Sequence, residues 1–483
     1  MTADIPPAPS ADQFGTSGPA TRVKSSASAA SQFAYPLGHL GHLSEGEEVA
    51  LDKLKGLLEE GGLWTRGPPA SHDDQTLLRY LRARRWVPED AYKQFKDTED
   101  WRASNQIDTL YRTIELEAYE QSRRLYPQWT GRRDRRGTPL FVFDVKQLDH
   151  KTVSEYEKRG AKTNVSDART DGKTPPGLLR LFALYENLTR FTQPFCTQLL
   201  DRDHAEVPIT MSTNIVDITG VGLKQFWNLK SHMQSASQLA TAHYPETLDM
   251  IFIIGAPFFF STVWGWVRRW FDPITVSKIH VLGPHEVKSV LERYIDPSNI
   301  PKKYGGGLEY SFGQMPKADP AWEGVVAWEK GISSFPTGPL LWEEEEEEEE
   351  QQQQQQPGEG GGGEGQHDGK RLVCVATGKE KGKPRRQRIC TVRKAWPPVR
   401  EQAVPQGQST SSQTDVDADV EHTKSNEEEG NASEGTQTSA QTYTEVAHPD
   451  EALTNGQLID KLQLEENTEN DVRVAPAAAA TTA

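Results

Sequence analysis

The sequence is poor in the features that mark most enzymes, secreted proteins and membrane spans. Cys196, Cys374 and Cys390 are the only three cysteines in 483 residues, and none stands in a CxxC or other metal-ligand spacing. That scarcity argues against a disulfide framework or a zinc scaffold, so no metal is expected and a reducing cytosol suits the chain. Catalytic signatures are missing too. No GxSxG elbow, GxxxxGK[ST] loop, HExxH pair or strand-to-helix dinucleotide fingerprint occurs, and the histidines are scattered. No catalytic residue is assigned, and the chain is not expected to be an enzyme. Apolar residues make up only 35%, too few for a packed core over the full length. The best hydrophobic run, Met250 to Val267, is interrupted by Gly255, Pro257, Ser261 and Thr262. It reads as a buried strand, a break, and a helix capped at Ser261 or Thr262, not as a membrane span. The N-terminal stretch lacks an apolar run behind a basic start, so it is not a secretory signal.

Charge of one sign is also lacking where it would matter. The formal net charge is −16, but acids and bases roughly balance between Ser44 and Tyr310, and the excess sits in the tail. A neutral folded part carries no footprint for nucleic acid.

What is present begins with helices. "SEGEEVALDKLKGLLEEGGLW" opens with a Ser cap and a Glu three positions on, and "DDQTLLRYLRARRW" and "PEDAYKQFKDTEDWRAS" follow. After Tyr126 strands alternate with helices: "TPLFVFDV", "ITMSTNIVDITG", "MIFIIGAP" and "SKIHVLG" read as strands, which predicts a mostly parallel sheet. The expected organisation is a disordered segment 1–43, a small helical bundle 44–107, an α/β domain 108–315 and an extension 316–342 packing on it. Beyond lie an acidic, glutamine- and glycine-rich coil 343–369, a β-hairpin 370–397 adding edge strands to the folded unit, and a disordered tail 398–483.

The basic helix "LLRYLRARRW", then "HYPETLDMIFIIGAPFFFSTVWGWV", "FDPITVSK" and the closing "IPKKYGG" resemble, in this order, the CRAL-TRIO family and its fungal phosphatidylinositol-transfer branch. The resemblance covers about Ser44 to Tyr310. It implies a helical N-terminal domain followed by an α/β domain with a hydrophobic lipid pocket and a gate helix over its mouth. It also implies that the ligand is a phospholipid, with no other cofactor.

Carried over residue by residue, the resemblance places Arg84, Glu246, Thr275 and Lys278 around a phosphoinositol head group, with Arg85 at a second basic position. Cations neutralise the phosphodiester, and Glu246 accepts from ring hydroxyls or orients the lysine. Thr247 stands where the family often has a second base. For a second head group the expected residues are Ser212, Asn214, Trp129 and Phe141; Asn214 replaces a threonine, which leaves phosphatidylcholine, another lipid or a sterol open. Phe258, Phe260, Trp264, Val267 and Phe271 are expected to contact acyl chains from the gate. Arg268 and Arg269, and the loop "GRRDRRG", are either solvated or face anionic membranes. The resulting expectation is a cytoplasmic, transiently membrane-associated monomer that binds and transfers phosphatidylinositol or presents it to lipid-modifying enzymes. Two alternatives stand beside it: a carrier of a sterol or other neutral ligand, and a lipid-sensing regulatory scaffold.

Overall fold

The computed structural model describes residues 35–162, 165–270, 273–346 and 370–396. The disorder expected for residues 1–34 and for the tail, most of the low-complexity stretch, and the gate residue Phe271 lie outside the described residues.

Three helices open the chain: α1 (Glu45–Glu60), α2 (Asp74–Ala83) and α3 (Pro88–Asn105). Each start is chemically marked. The Glu47 carboxylate accepts from the Ser44 amide at 2.8 Å, the Asp73 carboxylate accepts from the Thr76 amide at 2.9 Å, and Pro88 occupies the first turn of α3. Leu51, Leu54 and Leu58 of α1, spaced three and four apart, close on Leu77, Leu78 and Leu81 of α2 and Phe95 of α3.

Two short helices, α4 (Ile107–Thr113) and α5 (Leu116–Leu125), lead into a five-stranded sheet of β1 (Gln128–Arg133), β2 (Pro139–Asp144), β3 (Ser212–Asp217), β4 (Leu248–Ile254) and β5 (Ile279–Leu282). The strands lie in sequence order, antiparallel between β1 and β2 and parallel thereafter. The crossover from β2 to β3 carries α6 (His150–Lys162) and α7 (Pro176–Asn187), which runs through a π-helical turn into α8 (Gln193–Gln198). The next crossover is α9 (Leu223–His243), and the last holds α10 (Phe260–Val267) and α11 (Pro273–Ser277); α12 (Val287–Tyr294) follows β5. The class is α/β, with a helical N-terminal part and a mostly parallel sheet.

Alternation along the strands assigns the two faces. Leu140, Val142, Ile215, Phe252 and Ile254 pack with Leu291, Ile295 and Ile300 in and beyond α12. Phe141, Phe143, Ser212 and Asn214 project to the other side, toward α7 and α9.

Several local expectations are corrected. Residues 35–43 form an ordered arm: His39 is buried, and the His42 carbonyl accepts from the Gly38 amide at 3.1 Å. The helix α10 starts two or three residues earlier than a Ser261 or Thr262 cap would place it, because the Phe259 carbonyl accepts from the amides of Thr262 and Val263. The C-terminal hairpin adds nothing to the main sheet. With β6 (Val326–Trp328) and β7 (Leu340–Glu346), its strands β8 (Lys370–Ala376) and β11 (Gln387–Arg393) make a separate antiparallel sheet ordered β6-β11-β8-β7, while β9 (Lys379–Glu380) and β10 (Lys383–Pro384) form its tip. Both faces of this sheet are covered, Cys374 and Ile389 by Phe191, Phe195 and Trp129, and Val373 and Val375 by Ile107, Leu110 and Tyr111. Double burial explains the unbroken run "LVCVA". The acid run is not wholly coil either. Glu343 to Glu346 are strand, held by Arg386 to Glu343 at 2.7 Å, Arg388 to Glu345 at 2.5 Å and Lys394 to Glu344 at 2.7 Å.

Candidate functional site

Between the Phe141 and Asn214 face of the sheet and helices α7 and α9 lies a cavity of about 1350 Å³, its open mouth included. Small residues make the room. The inward side of α9 presents Ala236, Ser237, Ala240 and Thr241, where larger side chains would fill the space as in an ordinary core. Phe141, Phe143, Leu181, Leu184 and Met233 make the wall apolar, and Tyr126, Tyr185 and Tyr244 add rings with one polar edge.

One end is different: Arg84, Glu246, Thr275 and Lys278 all line it. They arrive from three places in the chain. Arg84 is the C-terminal cap of α2, Thr275 and Lys278 flank the junction of α11 and β5, and Glu246 sits between α9 and β4. The helical part fixes the last of these. Arg79 of α2 donates to the Pro245 carbonyl at 2.9 Å, and Gln94 of α3 donates to the carbonyls of Thr241 at 3.0 Å and Ala242 at 2.9 Å. So held, Glu246 adopts a left-handed φ of +55°, uncommon for a residue with a side chain. Its Oε2 accepts from Lys278 Nζ at 2.9 Å, and the same ammonium donates to the Leu248 carbonyl at 3.0 Å. Both side chains are nearly buried, at 11% and 12% exposure. A cation in so dry a place attracts an anion strongly, and the carboxylate beside it accepts from hydroxyls.

A further cation escaped the sequence reading. Arg82 donates through Nη1 to the Gly38 carbonyl at 3.1 Å, while its Nε and Nη2 are buried with no hydrogen-bond partner among the described residues. Burial lowers its pKa to about 10, an effect the Glu246 charge partly offsets. The signal lay in "LRYLRARRW", where Arg79 and Arg82 are three apart on one helix face.

Along the cavity floor the polar pair on β3 is closed on itself. Ser212 Oγ donates to the Thr247 carbonyl at 3.0 Å and accepts from Asn214 Nδ2 at 3.1 Å. Thr247 turns its own hydroxyl to the Tyr244 carbonyl at 2.9 Å.

Other expected site residues are placed elsewhere. Arg85 follows Arg84 at a left-handed φ of +51°, is exposed, and is not part of the lining. Trp129 pairs with Phe141 across β1 and β2 but lies on the edge strand, where the second sheet covers it; its ring meets Trp322, Phe191 and Phe195. Phe141 alone of that aromatic pair lines the cavity. The described gate aromatics, Phe258, Phe260 and Trp264, do not line it either. Phe259, just before α10, and Val263 within it are buried, while Phe258 is 44% exposed and Phe260 and Trp264 stack on each other half-exposed, 6.0 Å between centroids. Val267 is also half-buried and outside the lining. The turn that follows α10, Arg268–Trp270, packs against α9, with Arg268 and Arg269 exposed. In "GRRDRRG", Arg133 pairs with Asp201 at 2.8 Å and Asp319 at 3.0 Å, and Arg136 pairs with Asp249; these arginines are internal struts of a hairpin turn.

Among the described residues no helix is long and apolar enough to cross a membrane. Residues 45–97 match the CRAL/TRIO, N-terminal domain and residues 123–306 the CRAL/TRIO domain. The Sec14 cytosolic factor of Schizosaccharomyces pombe is 30% identical over 275 residues, spanning 57% of this chain and 87% of that protein. The phosphatidylinositol/phosphatidylcholine transfer protein SFH7 of Arabidopsis thaliana is 32% identical over 246 residues, 49% of this chain and 40% of that one. The crystal structure of Sfh5 aligns at a TM-score of 0.41 and 16% identity, over 57% of this chain and 92% of that one. With its two matched domains in order and a relative covered over most of its length, the chain belongs to the CRAL/TRIO family.

Proposed function

We propose that this protein binds phosphatidylinositol and carries it between membrane surfaces or presents it to lipid-modifying enzymes, without covalent chemistry. The observation that carries this reading is the union of a long apolar cavity with Arg84, Thr275, Lys278 and Glu246 at one end. A neutral sterol has no use for that charge set. A phosphodiester takes the Lys278 ammonium and the Arg84 guanidinium, and inositol hydroxyls find the Glu246 carboxylate. The name of one relative, a phosphatidylinositol/phosphatidylcholine transfer protein, supports this reading and makes phosphatidylcholine the natural second ligand. Phe141 and the Ser212 and Asn214 pair offer it an aromatic and polar wall.

Extracting a diacyl lipid removes its chains from a favourable medium, at about 0.8 kcal/mol per CH₂. The apolar wall replaces that medium, so exchange is close to balanced when the mouth faces a bilayer. Phe258, Phe260 and Trp264 form a half-exposed aromatic ridge suited to the interface. The working state is a monomer in the cytoplasm that meets membranes transiently, with the bound phospholipid as ligand and no other cofactor.

Mass spectrometry of co-purifying lipids tests this. The intact chain should carry phosphatidylinositol, and a folded Glu246→Ala, Lys278→Ala double variant should not. A neutral lipid in both sinks the phosphoinositide reading.

A further inference from the structure

Outside the cavity two imidazoles and a carboxylate converge from distant parts of the chain. His42 Nε2 lies 2.7 Å from Glu206 Oε1, His204 Nδ1 lies 3.3 Å from the same oxygen, and the three atoms are all within 4.8 Å of one another. We propose that His42, His204 and Glu206 bind a divalent transition-metal ion, zinc by the chemistry of the ligands, and so clasp the 35–43 arm onto the loop between α8 and β3.

The donor set suits such an ion, because zinc takes imidazole nitrogen and carboxylate oxygen in a tetrahedron and accepts water as a fourth ligand. With metal–ligand distances of about 2.0–2.1 Å the edges of that tetrahedron are about 3.3 Å. The spacing of His204 and Glu206 already matches, and His42 and Glu206 need part by only about half an ångström to admit the metal. The side chains of His42, Glu206 and His204 keep 29%, 40% and 42% exposure, so an ion enters without unfolding.

The loop is built to hold its two ligands still. Arg202 donates to the carbonyls of His204 at 2.7 Å, Ala205 at 3.2 Å and Val207 at 2.8 Å, which engages this nearby cation with the backbone. Trp396 Nε1 donates to the Glu206 carbonyl at 3.2 Å. His204 itself is kept at a left-handed φ of +55°, and its ring meets that of His42 edge to face, 5.7 Å between centroids. Strain of that kind persists where the surroundings over-determine a position, and ligand clamps are such places. The arm supplies the third ligand, and its Gly38 carbonyl accepts from Arg82, a guanidinium on which the Glu246 charge acts. A metal here therefore fastens a segment that covers that guanidinium.

The test uses the full chain, stripped with a chelator and then titrated with cobalt(II) and zinc(II). The expected result is one equivalent of cobalt with the visible absorption of a tetrahedral site. Zinc affinity should fall at least about tenfold in His204→Ala and in Glu206→Gln. Zinc should also slow amide exchange in residues 38–42 of the parent protein and not of His204→Ala. Glu206→Gln keeps size and hydrogen bonding, and unchanged thermal unfolding of that variant separates lost ligation from lost folding. Absence of binding overturns the proposal. So does binding that neither variant weakens, since the chain has 12 histidines to bind zinc adventitiously.

Discussion

Glu186 is a carboxylate at 1% exposure that joins four elements: it accepts from Arg102 of α3 at 2.7 Å and from the Tyr244 hydroxyl after α9 at 2.6 Å, and it forms an ion pair with Arg190 of the π-helical turn at 2.6 Å. Burial opposes its ionisation, but the charges of Arg102 and Arg190 outweigh it and lower the pKa from 4.5 to about 2. A depressed carboxylate stabilises the fold fully above its unfolded pKa, and that contribution is lost as pH falls from about 4.5 toward 2. Glu186→Ala leaves the half-buried guanidinium groups of Arg102 and Arg190 with the exposed Asp108 for counter-charge and should cost about 3 kcal/mol, read by urea unfolding at pH 7. Glu186→Gln should in addition flatten the acid limb of the stability profile. "LYENLTRF" shows Arg190 four residues on from Glu186 but not the rest of this role, because Arg102 and Tyr244 come from far along the chain. The head-group candidates were easier to find, since Arg84, Glu246, Thr275 and Lys278 sit inside recognisable stretches. Arg85 was not separable from Arg84 by sequence; both are exposed, and the turn of chain at the end of α2 decides that Arg84 is the one lining the cavity.

Among the elements, the 35–43 arm and α10 were the least legible. The arm looks like a polar extension, yet His39 is buried in it. Burial first, then the charges of Arg82, Lys278, Arg136 and His42, press its pKa down from 6.5 to about 2. The released arm therefore takes up a proton that the docked arm refuses, so docking weakens as pH falls below about 6.5. Protection factors of the amides in residues 38–42, with the intrinsic pH dependence of exchange divided out, should fall from pH 7.5 to pH 5.5, and His39→Asn should remove most of that change. His243, stacked on Trp101 and lowered to about 4 by burial and then Arg102, gives global stability the same sign but does not act on the arm. The expectation for α10 turns Phe260, Trp264 and Val267 to acyl chains, but Val263 is its buried residue and those three lie outside the cavity lining. Phe260→Ala with Trp264→Ala should slow lipid transfer between vesicles several-fold while leaving the amount of bound lipid unchanged. Loss of bound lipid in that variant would mean these rings hold acyl chains after all.

For the whole molecule, the second sheet is the main departure from expectation. Its central strands are β8 and β11, and β7 meets β8 in antiparallel register with Glu346 opposite Lys370. Ends so close need only a tight turn, so replacing residues 347–369 by Asn-Gly should leave the fold intact. The shorter loop should raise stability by about 2 kcal/mol, measured by denaturant midpoint. Ending the chain at residue 346 instead removes both central strands and uncovers Phe191, Phe195 and Trp129, and should abolish cooperative unfolding.

Local pattern was enough to determine the helices of the N-terminal part, the parallel order of the main strands and the stretches that carry the polar end of the cavity. Their signals are periodicity, caps and short motifs, all of which act within a few residues. Tertiary structure alone decided the rest: which arginine lines the cavity, where Trp129 is buried, why the acid run begins as a strand, and how His42 meets His204. Each of those depends on a partner far along the chain, and the field, packing or hydrogen bond that fixes it exists only once the chain has folded.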